Sequence, residues 1–462
     1  MRFGENNNVF RRSVLRTALI GGVFFVPNAY ADSLTDALVK AYQSNPQLMS
    51  ERANLRATDE EVSKAIALWR PKITISADYS KIETERKTDP ATGLEFKTEP
   101  WSAEITATQT VFAGGRILAQ RRRADAQVRA GRAVLHATEQ GVFLDTVAAH
   151  MNVVRDEAVL KLNQTNVELM KKQLEAAQAR FDVGEITRTD VAQAEARLSA
   201  GEAGLTAAEA SLTASRLSYE RMVGEAPANL DAKPALPTLP GNEGEAREIA
   251  NVQNPRLVAA REAEEASRYA IDLAVGAMLP TVSVQASYGR SGQERGFETI
   301  GDETRVTAIA SVPLYQGGAE WAQIRQAKEL SNKARMDAED ARRATDEVVS
   351  NAWESYNAAK ASKEANEKQV KASEIAFEGV QQELEVGSRT TLDVLNQAQE
   401  LLNARVSLVR SERDEIVAGY SLVAAVGKLT AKELQLAVQL YDPVENYDMQ
   451  TWRPLGAATY EN

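Results

Sequence analysis

Two very long stretches without proline constrain this chain more than any other feature of its sequence. They run from Gly115 to Gly184 and from Gly318 to Gly387. In each stretch the two glycines are 69 positions apart, and no proline lies between them. Because proline breaks helices and an α-helix rises about 1.5 Å per residue, each stretch predicts one helix of roughly 100 Å. A helix of that length is too long for a globular domain, so the sequence predicts an elongated molecule.

Residues near the far end of both stretches follow the alternating three- and four-residue spacing of a coiled coil. The series are Val167, Met170, Leu174, Ala177 and Phe181 in the first stretch, and Val370, Ser373, Phe377, Val380 and Leu384 in the second. We therefore expect helix to pack against helix there. The glycine that ends each stretch turns the chain, and Asp190 or Asp393 then begins a returning helix.

The long stretches belong to an internal repeat that covers most of the chain. Three pairs of motifs mark the two copies: Gly114-Gly115 and Gly317-Gly318, VGEITRTDV (183–191) and VGSRTTLDV (386–394), and Asn45-Pro46 and Asn254-Pro255. The first copy is the longer by six residues, which the spacing assigns to the segment between Pro71 and Phe112. One structural unit is thus used twice.

A strand hairpin precedes each long stretch, at about 72–112 and 280–315, and its residues alternate between apolar and small polar types. The apolar series are Ile73, Ile75, Ala77 and Tyr79, then Trp101, Ala103, Ile105, Ala107 and Val111, then Val282, Val284, Ala286 and Tyr288, and last Val306, Ala308, Ala310, Val312 and Leu314. Four strands of about ten residues match tilted membrane-spanning strands around a wet lumen. A sheet packed on helices outside a membrane has the same alternation, so both interpretations stay open here.

Four strands are too few to close a membrane barrel. About eight are needed to remove the sheet edges, and an edge exposed to lipid leaves backbone groups without partners. Three chains together supply twelve strands and leave an open lumen. The sequence therefore predicts a homotrimer with one shared barrel, continued by a long helical tube.

The N-terminus has the pattern of a secretory signal peptide over residues 1–31. A basic segment, FRRSVLR, precedes the apolar run TALIGGVFFV, and Ala29-Tyr30-Ala31 has the small residues of a cleavage site. The apolar run is too short to span a membrane, and no later run reaches 18 apolar residues. We expect the mature chain to be exported.

The composition excludes several classes of protein. The formal net charge of −11 argues against nucleic-acid binding, which needs a basic face. The chain contains no cysteine, so it has no disulfide and no thiolate metal site. His136 and His150 have no third ligand in range and are expected to be packing or surface residues. No nucleophile and base occur in a recognisable arrangement, and we expect neither an enzyme nor a cofactor.

The motifs in this order resemble the TolC family of outer-membrane efflux and type I secretion ducts. The likeness rests on the paired GG corners and VG turns, the duplicated hairpin-and-helix plan, and the terminal segment LYDPVENYDMQTW (440–452). It implies an α+β fold, with a homotrimeric β-barrel in the outer membrane continued by a periplasmic α-helical coiled-coil barrel. It also implies a channel for drugs, small toxic compounds or polypeptides.

The resemblance implies partners as well as a fold. They are a periplasmic adaptor (membrane fusion) protein, an inner-membrane transporter of the RND, ABC or MFS class, and the lipid of the outer membrane. The alternative is a structural or adhesive trimeric coiled coil anchored by a barrel. That alternative needs neither the VG turns nor a second copy of them.

The resemblance also assigns roles to residues at the VG turns. The turns themselves, where the adaptor docks, are Val183, Gly184, Val386 and Gly387, and the residues that match the family's aperture are Thr189, Asp190, Arg389 and Asp393. An Arg opposite an Asp can form a charge-assisted bond that breaks when the duct opens. Asp190 and Asp393 also suit a simple capping role, and the two roles are compatible.

Two positions depart from the family's gate pattern. Leu384 stands where some members carry a gate tyrosine, and Asn396 stands where some carry a second aspartate. A ring of inward-facing carboxylates would then hold three Asp rather than six. Block by cations and ion selectivity are expected to be weaker for that reason.

The expected organisation has five parts. They are the signal peptide (1–31), the first repeat (32–225), a proline-rich linker or equatorial segment (226–245), the second repeat (246–429) and a C-terminal equatorial segment (430–462). The connections 81–100 and 289–302 are expected to be loops facing outside the cell, since they are the longer connections.

Overall fold

The computed structural model describes residues 33–87, 93–294, 298–453 and 455–456. The expected signal peptide and the last six residues lie outside this part. The first half contains α1 (Leu34–Ser44), α2 (Pro46–Ala67), β1 (Lys72–Tyr79), β2 (Ile82–Lys87), β3 (Gly93–Ala113), α3 (Arg116–Asp182) and α4 (Arg188–Val223). The second half contains α5 (Glu243–Gln253), α6 (Pro255–Gly276), β4 (Thr281–Glu294), β5 (Glu298–Ser311), α7 (Ala319–Glu385) and α8 (Thr391–Ala425), and α9 (Glu445–Trp452) follows.

The two long helices confirm the expectation from the proline-free stretches. Helices α3 and α7 have 67 residues each, which corresponds to roughly 100 Å. Helix α3 packs along α4, α6 and α8, and α7 packs along α8 and α6. The strands lie at one end of the long helices and the VG turns at the other.

Two equivalent asparagines fix the shorter helices to the longer ones. Asn254 Oδ1 accepts hydrogen bonds from the first free amides of α6, those of Arg256 and Leu257, at 3.0 and 3.3 Å. Its Nδ2 donates to the Ala425 carbonyl oxygen at the end of α8, at 2.9 Å. Asn45 does the same in the first repeat, capping α2 and donating to Met222 at the end of α4. Each side chain thus joins the end of one helix to the start of the next.

All strands form one antiparallel sheet in the order β1-β3-β4-β5, with β2 also paired to β3. Five strand segments occupy four positions across the sheet, because the outer strand of the first hairpin is interrupted at Ser80 and Lys81. Within the described residues, β1 and β5 each pair on one side only. The sheet is therefore open at both edges.

The strands are longer than the alternation predicts. Strand β3 has 21 residues and β4 and β5 have 14 each. Most of the described part of 81–100 and 289–302 is strand, so the prediction of loops there was wrong. Cross-strand ion pairs accompany the extra length: Lys97 with Glu83 at 3.5 Å, and Arg290 with Asp302 at 3.5 Å. In the other direction β5 ends at Ser311, so Val312 and Leu314 lie outside it, and Pro313 follows.

The register places the two residue types on opposite faces. Ile75 pairs with Ile105, Ile105 with Tyr288, and Ala286 with Val306, so these lie on one face. Ser76, Glu104 and Gly289 lie on the other face, as do Ser287 and Arg305. The apolar face is uncovered in the single chain: Ile75 is 75% exposed and Val306 is 72% exposed.

The largest hydrophobic cluster surrounds the middle of α3 rather than either end. It joins α1 and α2 with Phe143 and Val147 of α3, Tyr420 of α8 and the segment 429–438. A second cluster packs α5 against α7 and α8 through Ala250, Val349 and Leu422. The last helix, α9, lies along α2, where Asn446 donates to the buried Asp59 carboxylate at 2.7 Å.

Candidate functional site

The strand-to-helix corners need glycine because their backbones are left-handed. The φ angles are +60° and +78° for Gly114 and Gly115, and +73° and +84° for Gly317 and Gly318. The two corners differ in their surroundings. A Cβ on Gly114 would lie 2.4 Å from the Gly276 carbonyl oxygen at the end of α6, whereas a Cβ on Gly317 would meet nothing within 4 Å.

The VG turns have the same geometry in both repeats. Gly184 and Gly387 each have φ of +78°, a value that side chains disfavour. The amide of the next residue donates back into the helix at 2.9 Å, from Glu185 to Arg180 and from Ser388 to Glu383. Val183 and Val386 are 78% and 79% exposed. Each turn thus presents one uncovered apolar side chain at the end of the long helices.

Asp190 and Asp393 form capping boxes at the starts of α4 and α8. The Asp190 carboxylate accepts hydrogen bonds from the Thr187 amide at 2.9 Å and the Thr187 hydroxyl at 2.8 Å. Asp393 accepts the same two bonds from Thr390, at 2.9 and 2.8 Å. The side-chain and backbone bonds from Thr187 lower the pKa of Asp190, and the backbone and side-chain bonds from Thr390 lower the pKa of Asp393. The capping role is confirmed.

Arg389 makes its ion pair within its own turn. Its Nε donates to Glu383 Oε2 at 2.7 Å, and this bond raises the pKa of Arg389 above its ordinary value. Both side chains are about half exposed. Thr189, at the second position of α4, is exposed. Inside one chain, therefore, Arg389 is bonded to Glu383, and the carboxylates of Asp190 and Asp393 are bonded to threonines.

The structure brings together two residues near the tip that no sequence motif pairs. Arg197 Nη2 on α4 donates to Asn396 Oδ1 on α8 at 2.7 Å. Asn396 lies where some members of the TolC family carry a second aspartate, whereas Arg197 belongs to no motif of the sequence. The pairing depends on how the repeats pack, so no local signal identifies it.

Neither histidine has the surroundings of a metal ligand. His150 is buried, and its Nε2 lies 3.1 Å from the Asp231 carbonyl oxygen in the linker. His136 lies beside Glu139, whose carboxylate also accepts the Ala431 amide at 2.7 Å. Over the described ranges, no group of three or more His, Asp or Glu side chains could hold a metal ion. Nor does any helix there combine the length and apolarity needed to cross a bilayer.

An open sheet with one polar and one apolar face, continued by paired helices of roughly 100 Å, defines a class of protein: an elongated α+β chain with its strands at one end. A family model described as "outer membrane efflux protein" matches residues 37–225 and 247–428. The chain belongs to this family. It is an outer-membrane efflux channel protein that extends into the periplasm.

Individual relatives agree with the family assignment. The outer membrane efflux protein BepC of Brucella suis is 37% identical over 430 residues, covering 93% of this chain and 92% of BepC. The outer membrane protein TolC of Vibrio cholerae is 28% identical over 423 residues, covering 88% and 93%. The crystal structure of the outer membrane protein VceC from Vibrio cholerae has a TM-score of 0.73 at 20% identity, covering 85% of this chain and 96% of VceC. The expected resemblance to the TolC family is confirmed, and the family favours the channel over a structural or adhesive coiled coil.

Proposed function

We propose that three copies of this chain form one exit duct, with a twelve-stranded barrel in the outer membrane and a helical tube below it. The observation that carries the proposal is the open sheet, which has four strand positions and whose edge strands, β1 and β5, each pair on one side only in the part of the chain that the structure describes. Hydrocarbon cannot hydrogen-bond those edges, so they require strands from other chains. Three chains bring the total to twelve positions, which suffices to close a barrel around a lumen.

The unequal corners support the same assembly. Gly114 packs tightly against the end of α6 in its own chain, while Gly317 faces open space. In a protein built of repeats, each unit packs against an equivalent neighbour on both sides. A second copy supplies the missing neighbour of Gly317, through the junction between its α2 and β1.

The faces of the sheet fit their proposed surroundings. Ile73, Ile75 and Val306 lie on the exposed apolar face and would contact lipid. The opposite face carries Glu104, Gln285 and Arg305 and would line a wet lumen. This alternation is the pattern of a membrane barrel.

The tip formed by the two VG turns is the proposed gate and docking site. The exposed Val183 and Val386, with the flanking Gly184 and Gly387, offer an apolar surface to a periplasmic adaptor protein. Thr189, Asp190, Arg389 and Asp393 line the proposed aperture. Between copies, Arg389 can exchange Glu383 for the carboxylate of a neighbouring Asp190, and loss of such links would favour the open state.

The proposed partners follow from the duct. An adaptor joins the tip to an inner-membrane transporter of the RND, ABC or MFS class, and drugs, small toxic compounds or polypeptides pass through passively. The segments 226–245 and 430–462 are proposed to form a belt around the middle of the tube. In support of this, residues 429–438 pack on the middle of α3.

Single-channel conductance of the detergent-purified protein in planar bilayers tests the proposal. Native mass spectrometry first establishes the number of chains. We expect trimers with small wild-type conductance, and larger conductance for Asp190→Ala and Arg389→Ala. A Glu383→Gln variant separates the intrachain pair of Arg389 from a link between copies. A trimer that never conducts in any variant would refute the duct.

A further inference from the structure

One side-chain hydrogen bond joins the two repeats near the tip. Arg197 Nη2 donates to Asn396 Oδ1 at 2.7 Å, between residues 199 positions apart in the chain. Arg197 lies on α4 and Asn396 on α8. The bond therefore runs between the coiled coil of α3 with α4 and the coiled coil of α7 with α8. Its donor is ionised, which makes it stronger than a bond between neutral groups.

The bond lies beside a close contact between short side chains. Ala194, one turn before Arg197, is 1% exposed, and Leu395 and Ala398 on either side of Asn396 are 1% and 5% exposed. These residues share one hydrophobic cluster with Met170 of α3. The two coiled coils touch here, so a change in their separation directly changes the distance from Arg197 to Asn396.

Two other arginine links on the same helices lie within one coiled coil, whereas Arg413 on α8 donates to Asn152 on α3 at 3.0 Å, near the middle of the long helices. Arg216 on α4 donates to Glu157 on α3 at 2.8 Å. Arg405 on α8 donates to Glu374 on α7 at 2.8 Å. A movement of one coiled coil against the other leaves both of these bonds intact. They share the arginine donor with the Arg197 bond and are nearly as short, at 2.8 Å against 2.7 Å, but their acceptors are carboxylates rather than an amide oxygen.

We infer that Arg197 and Asn396 form a latch that holds the two coiled coils of one chain together when the tip is closed, and that the tip opens when this bond breaks. The inference rests on the proposed function and adds a pair of positioning residues to the proposed gate. It differs from the capping boxes of Asp190 and Asp393, which act within a single helical turn.

The chemistry of the latch predicts a different result for each substitution. Asn396→Ala and Arg197→Ala remove the bond. Asn396→Asp keeps an oxygen in place and adds a charge opposite the guanidinium, so it preserves or strengthens the link. Simple loss of an asparagine at this position would give the same result for Ala and Asp.

The first experiment compares single-channel conductance of the trimers. Relative to wild type, we expect Asn396→Ala and Arg197→Ala to raise the conductance or the open fraction severalfold. Asn396→Asp should stay at or below the wild-type value. The matched control, Arg216→Ala, should behave as wild type. The double variant Arg197→Ala/Asn396→Ala should add little to either single change, because both remove one shared bond.

A second experiment uses the absence of cysteine from the chain. The double variant Arg197→Cys/Asn396→Cys can be bridged by a short, reducible bifunctional thiol reagent. We expect low conductance in the bridged protein and a severalfold increase after reduction, with no response in wild type. This readout reports a restraint between coiled coils and is insensitive to general loss of stability.

Several outcomes would overturn the latch. The latch would be rejected, and the proposed gate left intact, if Arg197→Ala and Asn396→Ala both conduct like wild type while Asp190→Ala conducts more. An opened Arg216→Ala would indicate general loosening of the coiled coils instead. An absence of pores in every variant, wild type included, would reject the duct itself.

Discussion

The helix junction at Asn254 allows a prediction with a worked magnitude. Asn254→Ala removes the cap of α6, worth about 1 kcal/mol. It also removes the donor to the Ala425 carbonyl oxygen, and an unpaired buried acceptor costs about 1–2 kcal/mol. Asn254 is 7% exposed, so water replaces neither bond easily. The local opening free energy should fall by about 2–3 kcal/mol, which corresponds to a roughly 30- to 150-fold larger equilibrium constant for opening.

Amide hydrogen exchange measured by mass spectrometry is the appropriate assay, because thermal unfolding of a membrane assembly is not two-state. The amides of Arg256 and Leu257 at the start of α6, and those at the end of α8, should exchange faster by that factor. Asn254→Ser keeps a cap acceptor but not the donor to Ala425, so it should give about half of the effect in free energy. Asn332→Ala, at an exposed position of α7, is the control. Unchanged exchange at the junction in Asn254→Ala would refute the reasoning.

Further substitutions test other parts of the structure. The capping contributions of Asp190 and Asp393 are complete above the ordinary carboxyl pKa of 3.8 and are lost as the pH falls through their lowered values; exchange at the tip should therefore rise below about pH 4 in wild type, and Asp190→Asn should flatten this dependence on its own turn. Gly114→Ala adds a clash with Gly276 to the strain of a positive φ, while Gly184→Ala adds strain alone; protease resistance should fall further for Gly114→Ala, and equal losses would contradict the packed corner. Asn446→Ala leaves the buried Asp59 carboxylate without its hydrogen bond, at a cost of about 1.5–3 kcal/mol; proteolysis of the segment after residue 440 should accelerate, and unchanged cleavage would show that α9 is held by other contacts.

The long helices could be predicted from the sequence because their signals are local. The absence of proline, the glycines at each end and the start signals at Asp190 and Asp393 are all short-range features. The observed bounds, Arg116–Asp182 and Ala319–Glu385, fall just inside the glycines. The alternation of the strands was equally local. The length of the strands was not local. The segments 81–100 and 289–302 are the longer connections and were expected to be loops for that reason, but pairs across the hairpin such as Glu83 with Lys97 extend the strands.

The contacts of the tip could be predicted only in part. The capping boxes lie within four residues, so the sequence indicated them. The pairing of Arg389 with Glu383 follows from the reversal of the chain at Gly387, which brings together residues six positions apart. The bond from Arg197 to Asn396 joins distant repeats, and its existence depends on the packing of Leu395 and Ala398 between them. No pattern in either segment specifies that packing.

The open sheet has a consequence for biogenesis. In a single chain the open edges of β1 and β5 can pair with any extended chain, and the apolar face of the sheet is exposed as well. The longer the single chain persists, and the higher its concentration, the greater is the risk that its sheet edges pair wrongly and the protein aggregates. The helices, by contrast, pack against one another within one chain. In the proposed trimer, folding of the helices before the strands meet would present three aligned sheets to the membrane at once and so shorten the time for which the sheet edges are exposed.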